Sequence, residues 1–83
     1  MMRKVILHTD PESSGWIASV PGLPGCFSEG ETKEEALRNI REAAAAWLET
    51  AQSEGIEVPP EDVLVAIDHI DVPVPQPRAN AVR

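Results

Sequence analysis

The stretch from Thr32 to Gly55 limits the fold more than any other part of the chain. Thr32 and Glu35 form a T-x-x-E capping box: the threonine oxygen can accept one free backbone N–H, and the glutamate can reach back for another. Ala36, Leu37, Ile40, Ala43, Ala44, Trp47, Leu48 and Ala51 follow at spacings that make one apolar stripe on a helix. Glu34, Arg38, Arg41, Glu42 and Glu49 fall on the other side, with Glu34 and Arg38 four apart in the favourable order for a surface pair. Gly55 suits a carboxy-terminal cap, and Pro59 and Pro60 stop any continuation. The expected helix runs from Lys33 to Glu54 and rises about 33 Å.

The flanks read as strands. Arg3 to His8 is a short β-branched run and Trp16 to Val20 a second, with the Pro, Ser, Asp and Gly of residues 9–15 forming a turn between them. PGLPG at 21–25 breaks regular structure twice, and Cys26 to Ser28 can form a short third strand. After the helix, Val63 to Val72 (VLVAIDHIDV) is the expected fourth strand by its β-branched content. The order β-β-β-α-β predicts an α+β fold. Three strands form an antiparallel meander, and the helix crosses one face and returns the last strand parallel to the first. The result is a mixed four-stranded sheet with one long helix on one face. Residues 1–72 form the single domain, and 73–83, with prolines at 73, 75 and 77, form an extended or disordered tail.

One helix covers only one face of such a sheet. Ile6 and Ile17, with Leu64 and Ile70 on the last strand, are the candidates for an apolar face or edge that pairs with another copy. The size of the chain points the same way, because 83 residues bury a modest core. Cys26 is the one cysteine, so no internal disulfide forms, and a lone thiol fits a reducing cytoplasm. No signal-peptide pattern opens the sequence, and the apolar run Val63 to Ile67 is far too short to span a bilayer. A cytoplasmic protein with no membrane contact is expected. Fourteen acidic against seven basic residues give a formal charge of −7. That opposes unaided binding to a nucleic-acid backbone and favours a basic protein partner.

From Gly15 to Leu48 the chain reads GWIASVPGLPGCFSEGETKEEALRNIREAAAAWL. Trp16 and Ala18 stand on strand two. Pro21, Leu23, Pro24, Gly25 and Cys26 make P-x-L-P-G-C, Ser28 and Gly30 make a small-residue turn, and Thr32, Glu34, Glu35 and Ala36 open the helix. Asn39, Ile40, Glu42 and Ala43 continue the pattern. In these residues the chain resembles the HicB family of antitoxins. The resemblance implies a truncated ribonuclease H-like core without its activity, and an antitoxin role rather than an enzyme. It implies as partner a small basic toxin ribonuclease of the HicA type, and assembly into a homo-oligomer, dimer or tetramer; the alternative is an orphan self-assembling interaction domain without a toxin. Many relatives add a carboxy-terminal DNA-binding module. The eleven residues after Val72 are too few to build one, so direct DNA binding is not expected.

Trp16, Pro21, Leu23, Pro24 and Phe27 are the candidate partner-binding residues. The PGLPGC segment itself reads first as a turn shaped by its prolines and glycines between strands two and three. Trp16 can anchor an interface or pack in the core, and Trp47, within the stripe, reads as core. Cys26 has no neighbouring Lys, Arg or His and reads as a small packed thiol. The enzymatic alternative is a ribonuclease H-type metal centre near His8, Asp10, Asp68, His69 and Asp71, with Glu42 or Glu49 approaching from the helix. Two features weaken it. Asp10 sits in a turn context, and Asp68 and Asp71 fall on opposite faces of a regular strand. No catalytic residue, metal ligand or cofactor is therefore assigned.

Overall fold

The computed structural model describes residues 1–76. Strands β1 (Ile6–Thr9), β2 (Trp16–Ser19) and β3 (Phe27–Gly30) precede a single helix, α1 (Lys33–Ser53). The sheet is antiparallel throughout, in the order β1-β2-β3. Leu7, Ala18 and Ser28 stand abreast in one row, and Thr9, Trp16 and Gly30 in another. Side chains alternate across a strand, so these two rows face α1. The rows Ile6, Ser19, Phe27 and His8, Ile17, Glu29 face away from it.

The predicted helix forms almost to the residue. Thr32 is its N-cap, and its hydroxyl accepts from the Glu35 N–H at 3.0 Å. The Glu35 carboxylate takes the N–H of Glu31 at 2.6 Å, one residue earlier than in the usual capping box. Glu34 and Glu35 place negative charge where the helix dipole favours it. At the other end the Ile56 N–H reaches the Ala51 carbonyl at 2.8 Å and the Gly55 N–H reaches Gln52 at 3.3 Å. With Gly55 at φ +70° this is a Schellman cap. The Glu34–Arg38 pair does not form: the ion pairs among the described residues are Arg3–Glu61 and Lys4–Glu61.

The core lies between the inner sheet face and α1. Ala18, Val20, Leu23, Cys26, Ala36 and Ile40 are buried together, with Val5, Leu7, Trp16, Ala43, Ala44, Trp47, Leu48 and Val58 packed around them. Small residues let the helix approach closely. A methyl group on Gly30 would lie 2.5 Å from the Ala36 nitrogen, so the first turn of α1 rides directly on the end of β3.

The expected fourth strand is not formed, so the sheet has three strands and is not mixed. Beyond Glu61 the described chain has no regular structure, and Leu64 to Gln76 are exposed throughout. The reason is visible at the root of the segment. The Arg3 guanidinium donates to the Pro59 carbonyl at 2.6 Å, and the Glu61 carboxylate accepts the backbone N–H of Lys4 at 3.0 Å. These bonds bring the chain back beside the start of β1, but no ladder follows. The radius of gyration is 18.2 Å, well above the roughly 12 Å of a compact chain this long. Of the expected tail, 73–76 are exposed and irregular, and 77–83 lie outside the described residues.

Candidate functional site

The loop between β2 and β3 is built from inside. The Leu23 N–H reaches Val20 and the Cys26 N–H reaches Leu23, while the Val20 N–H returns to Cys26, each at 3.0 Å. These bonds fold PGLPGC into two consecutive turns, and Gly25, at φ +78°, makes the second possible. Leu23 is completely buried, so it anchors the loop in the core and offers a partner nothing. From α1, the Trp47 indole N–H donates to the Pro24 carbonyl at 2.9 Å, and Asn39 donates to the Glu29 carbonyl at 2.8 Å. The helix thus holds both ends of the segment that presents Phe27. Cys26 is buried, and burial pushes its thiol up from the ordinary value, as suits a packed thiol and not a reactive one.

The candidate residues divide accordingly. Trp16 is half-buried on the inner face against the core. Pro21 is half-buried and Pro24 exposed at the loop. Phe27 is 69% exposed and stands on the outer face. There the register places it in one row with Ile6 and diagonal to Ile17. The structure therefore joins residues from two expected sites into one apolar diagonal, Ile6–Ile17–Phe27, rimmed by His8, Ser19 and Glu29. Leu64 and Ile70 are not part of it and lie on the unpaired segment.

At the end of the sheet opposite Phe27, the β1–β2 turn and the end of β3 enclose an open cleft of about 390 Å³, with Asp10, Glu29, Glu31 and Glu35 on its walls. Asp10 is committed to the turn: it accepts the Glu12 N–H at 2.9 Å and the Ser13 hydroxyl at 3.2 Å. Glu29 and Glu31 are exposed and have no ion-pair partner among the described residues. Their charges are available to a cationic surface.

The carboxylates considered for a metal are not gathered. Asp68 accepts the N–H of its neighbour His69 at 2.7 Å on the exposed segment. No group of three His, Cys, Asp or Glu suited to a metal occurs among the described residues. Nor is any described helix long and apolar enough to cross a membrane.

A second concavity, about 530 Å³, lies along the opposite flank of α1. Val5 and Val20 from the sheet, Leu37, Ile40, Ala44 and Leu48 from the helix, and Met1, Met2, Arg3 and Arg41 at its margins line it. The apolar stripe contains Leu37, Ile40, Ala44 and Leu48 of this groove but not Ala45, which also lines it. That the groove stands open is not legible in the residues, whose pattern places a fourth strand beside β1.

Residues 4–76 match the model of the HicB-like antitoxins of bacterial toxin-antitoxin systems. A UPF0150 protein of Thermoplasma acidophilum is 40% identical over 58 residues, which span 70% of this chain and 84% of that protein. Another, from Synechocystis, is 45% identical over 51 residues, 61% of this chain and 65% of the relative. The crystal structure of the N-terminal domain of the Burkholderia pseudomallei antitoxin HicB superposes with a TM-score of 0.56 at 34% identity, over 78% of this chain and 69% of that one.

Proposed function

The chain belongs to the HicB-like antitoxins of bacterial toxin-antitoxin systems, and from that premise we propose that it binds and neutralises a small basic toxin ribonuclease of the HicA type in the cytoplasm. The observation that carries this reading is the outer sheet face. An apolar diagonal ending in the exposed Phe27 is rimmed by Glu29, with Glu31 just past the end of β3, and no described cation neutralises either carboxylate. Apolar area supplies holding energy and anionic charge speeds the encounter with a basic protein. The helix braces this face from behind through Trp47 and Asn39, so little ordering cost falls on binding. In this reading the chain acts by occlusion and supplies no catalysis of its own: Asp10 and Asp68 are occupied by local backbone and hydroxyl bonds.

The test is co-expression with a small basic ribonuclease of this type from the same genome. Growth arrest by the ribonuclease alone, relieved by this chain and not by its Phe27→Ala variant, is the expected result. Relief that is equal for the two chains would place binding elsewhere, and no relief by either would remove the antitoxin reading.

A further inference from the structure

We infer that the basic partner of the proposed function docks by adding an extended segment to the free edge of β3, beside Phe27 and Glu29, as one more strand of the sheet. The inference rests on that function and adds the mode of contact. The direction of the backbone groups carries it. The Val20 N–H bonds to the Cys26 carbonyl at 3.0 Å, and the β2–β3 register continues from that bond through Ala18↔Ser28 and Trp16↔Gly30. In an antiparallel pair, alternate residues exchange bonds with the neighbouring strand, and those between them point the other way. Cys26, Ser28 and Gly30 therefore bond toward β2. The main-chain groups of Phe27 and Glu29 point to the side on which β3 has no neighbour. One of them is already in use, because the Glu29 carbonyl accepts from the Asn39 amide at 2.8 Å. The N–H and carbonyl of Phe27 and the N–H of Glu29 have no partner among the described residues.

An uncovered edge is a template for another chain, and the side chains along it select which one. Phe27 and Glu29 both project from the outer face. A strand added about 4.8 Å away sets one side chain opposite each of them. An apolar residue suits Phe27, and a basic one suits Glu29, which has no ion-pair partner among the described residues. A second copy of this edge fits poorly. Antiparallel pairing centred on Ser28 faces each Glu29 with a Phe27, and pairing centred on Glu29 faces carboxylate with carboxylate. The formal charge of −7 on each chain adds repulsion. The chain's own segment 62–76 suits Glu29 no better, with three aspartates and no Lys or Arg. At the other edge of the sheet, β1 starts beside Arg3 and Lys4, which disfavour a basic strand. The available ladder is short: the PGLPG turns close it before Phe27, and Asn39 closes it at Glu29. Backbone pairing thus sets the register, and the side chains opposite Phe27 and Glu29 set the choice of partner.

Amide hydrogen exchange by nuclear magnetic resonance reads the edge directly, on the full chain alone and on the chain saturated with a purified small basic ribonuclease of this type. The Phe27 and Glu29 amides should exchange freely in the chain alone and slow by about tenfold or more in the complex. Ser28, which bonds toward Ala18 in both states, should be slow in both. Glu29→Gln should weaken the complex about fivefold, and Glu31→Gln, just past the end of β3, by less than about twofold. Binding that leaves both amides exchanging as in the free chain, or equal losses for the two variants, would overturn strand addition and leave the antitoxin reading intact. Absence of any binding would overturn both. Protection of the two amides that grows with the concentration of the chain alone would assign the edge to a second copy, and so overturn the inference as well.

Discussion

Gly30→Ala adds one methyl group at the point where α1 rests on β3, and the structure sets its cost. The new carbon would lie 2.5 Å from the Ala36 nitrogen and 2.9 Å from both the carbonyl carbon and Cβ of Glu35. Two of those three atoms are helix backbone and cannot swing aside. Ordinary contact begins near 3.4 Å, so the first turn must retreat by about 0.9 Å, loosening the Asn39–Glu29 bond that spans the same junction. Overpacking of this kind costs about 1–3 kcal/mol. Gly30 does not have positive φ, so alanine gains about 0.4–1 kcal/mol from the stiffer unfolded chain. A net loss of about 1–2 kcal/mol follows. With a urea m-value of about 1 kcal/mol/M for a small domain, the midpoint should fall by about 1–2 M. Gly25 is the contrast. It has open space around its absent Cβ but φ of +78°, so its constraint is conformational. Asparagine tolerates that region better than alanine. At position 25 Asn should therefore be milder than Ala, and at position 30 the larger Asn should be worse. Urea titration followed at 222 nm measures all four variants. The same order of Ala and Asn at both sites would refute the reasoning.

Three further outcomes follow from the same geometry. Thr32→Ala removes the cap on Glu35 and should cost about 1 kcal/mol, with Thr32→Ser nearly neutral, by thermal unfolding. Trp47→Phe keeps the ring but loses the bond to the Pro24 carbonyl. It should cost about 0.5–1.5 kcal/mol and raise amide exchange in residues 22–26 ahead of the rest. Burial raises the Cys26 thiol in the folded state, so above its unfolded value the unfolded chain binds fewer protons. Stability should then fall as pH rises through the alkaline range up to the folded value, and a Cys26→Ala variant should lose that pH-dependent part of the slope.

Local chemistry was legible in the sequence where one residue decides it. The T-x-x-E box, the spacing of Ala36, Ile40, Trp47 and Ala51, and Gly55 before two prolines place the helix to within a residue at its end, because caps and periodicity act within a few positions. The two hairpins were readable from their turn residues, though β1 and β3 are shifted toward their carboxyl ends. Partner selection was not readable. VLVAIDHIDV has the composition of a strand, but composition does not say whether a ladder forms, and in the structure none does. The site was half-legible for the same reason. Phe27 and Ile17 were both named, yet only the register Ser19↔Phe27 and Ile17↔Glu29 puts them on one face. Leu23 looked like a loop contact and is the most deeply buried large side chain, since the double turn folds it inward.

The central claim is neutralisation through the outer sheet face, and the most direct measurement is RNA cleavage by a purified HicA-type ribonuclease titrated with this chain. Cleavage should end at a fixed stoichiometry. Phe27→Ala should weaken the inhibition mainly through faster dissociation, and added salt should slow association far more than it changes dissociation. Cleavage that continues at saturating chain, or inhibition indifferent to Phe27, would contradict the account.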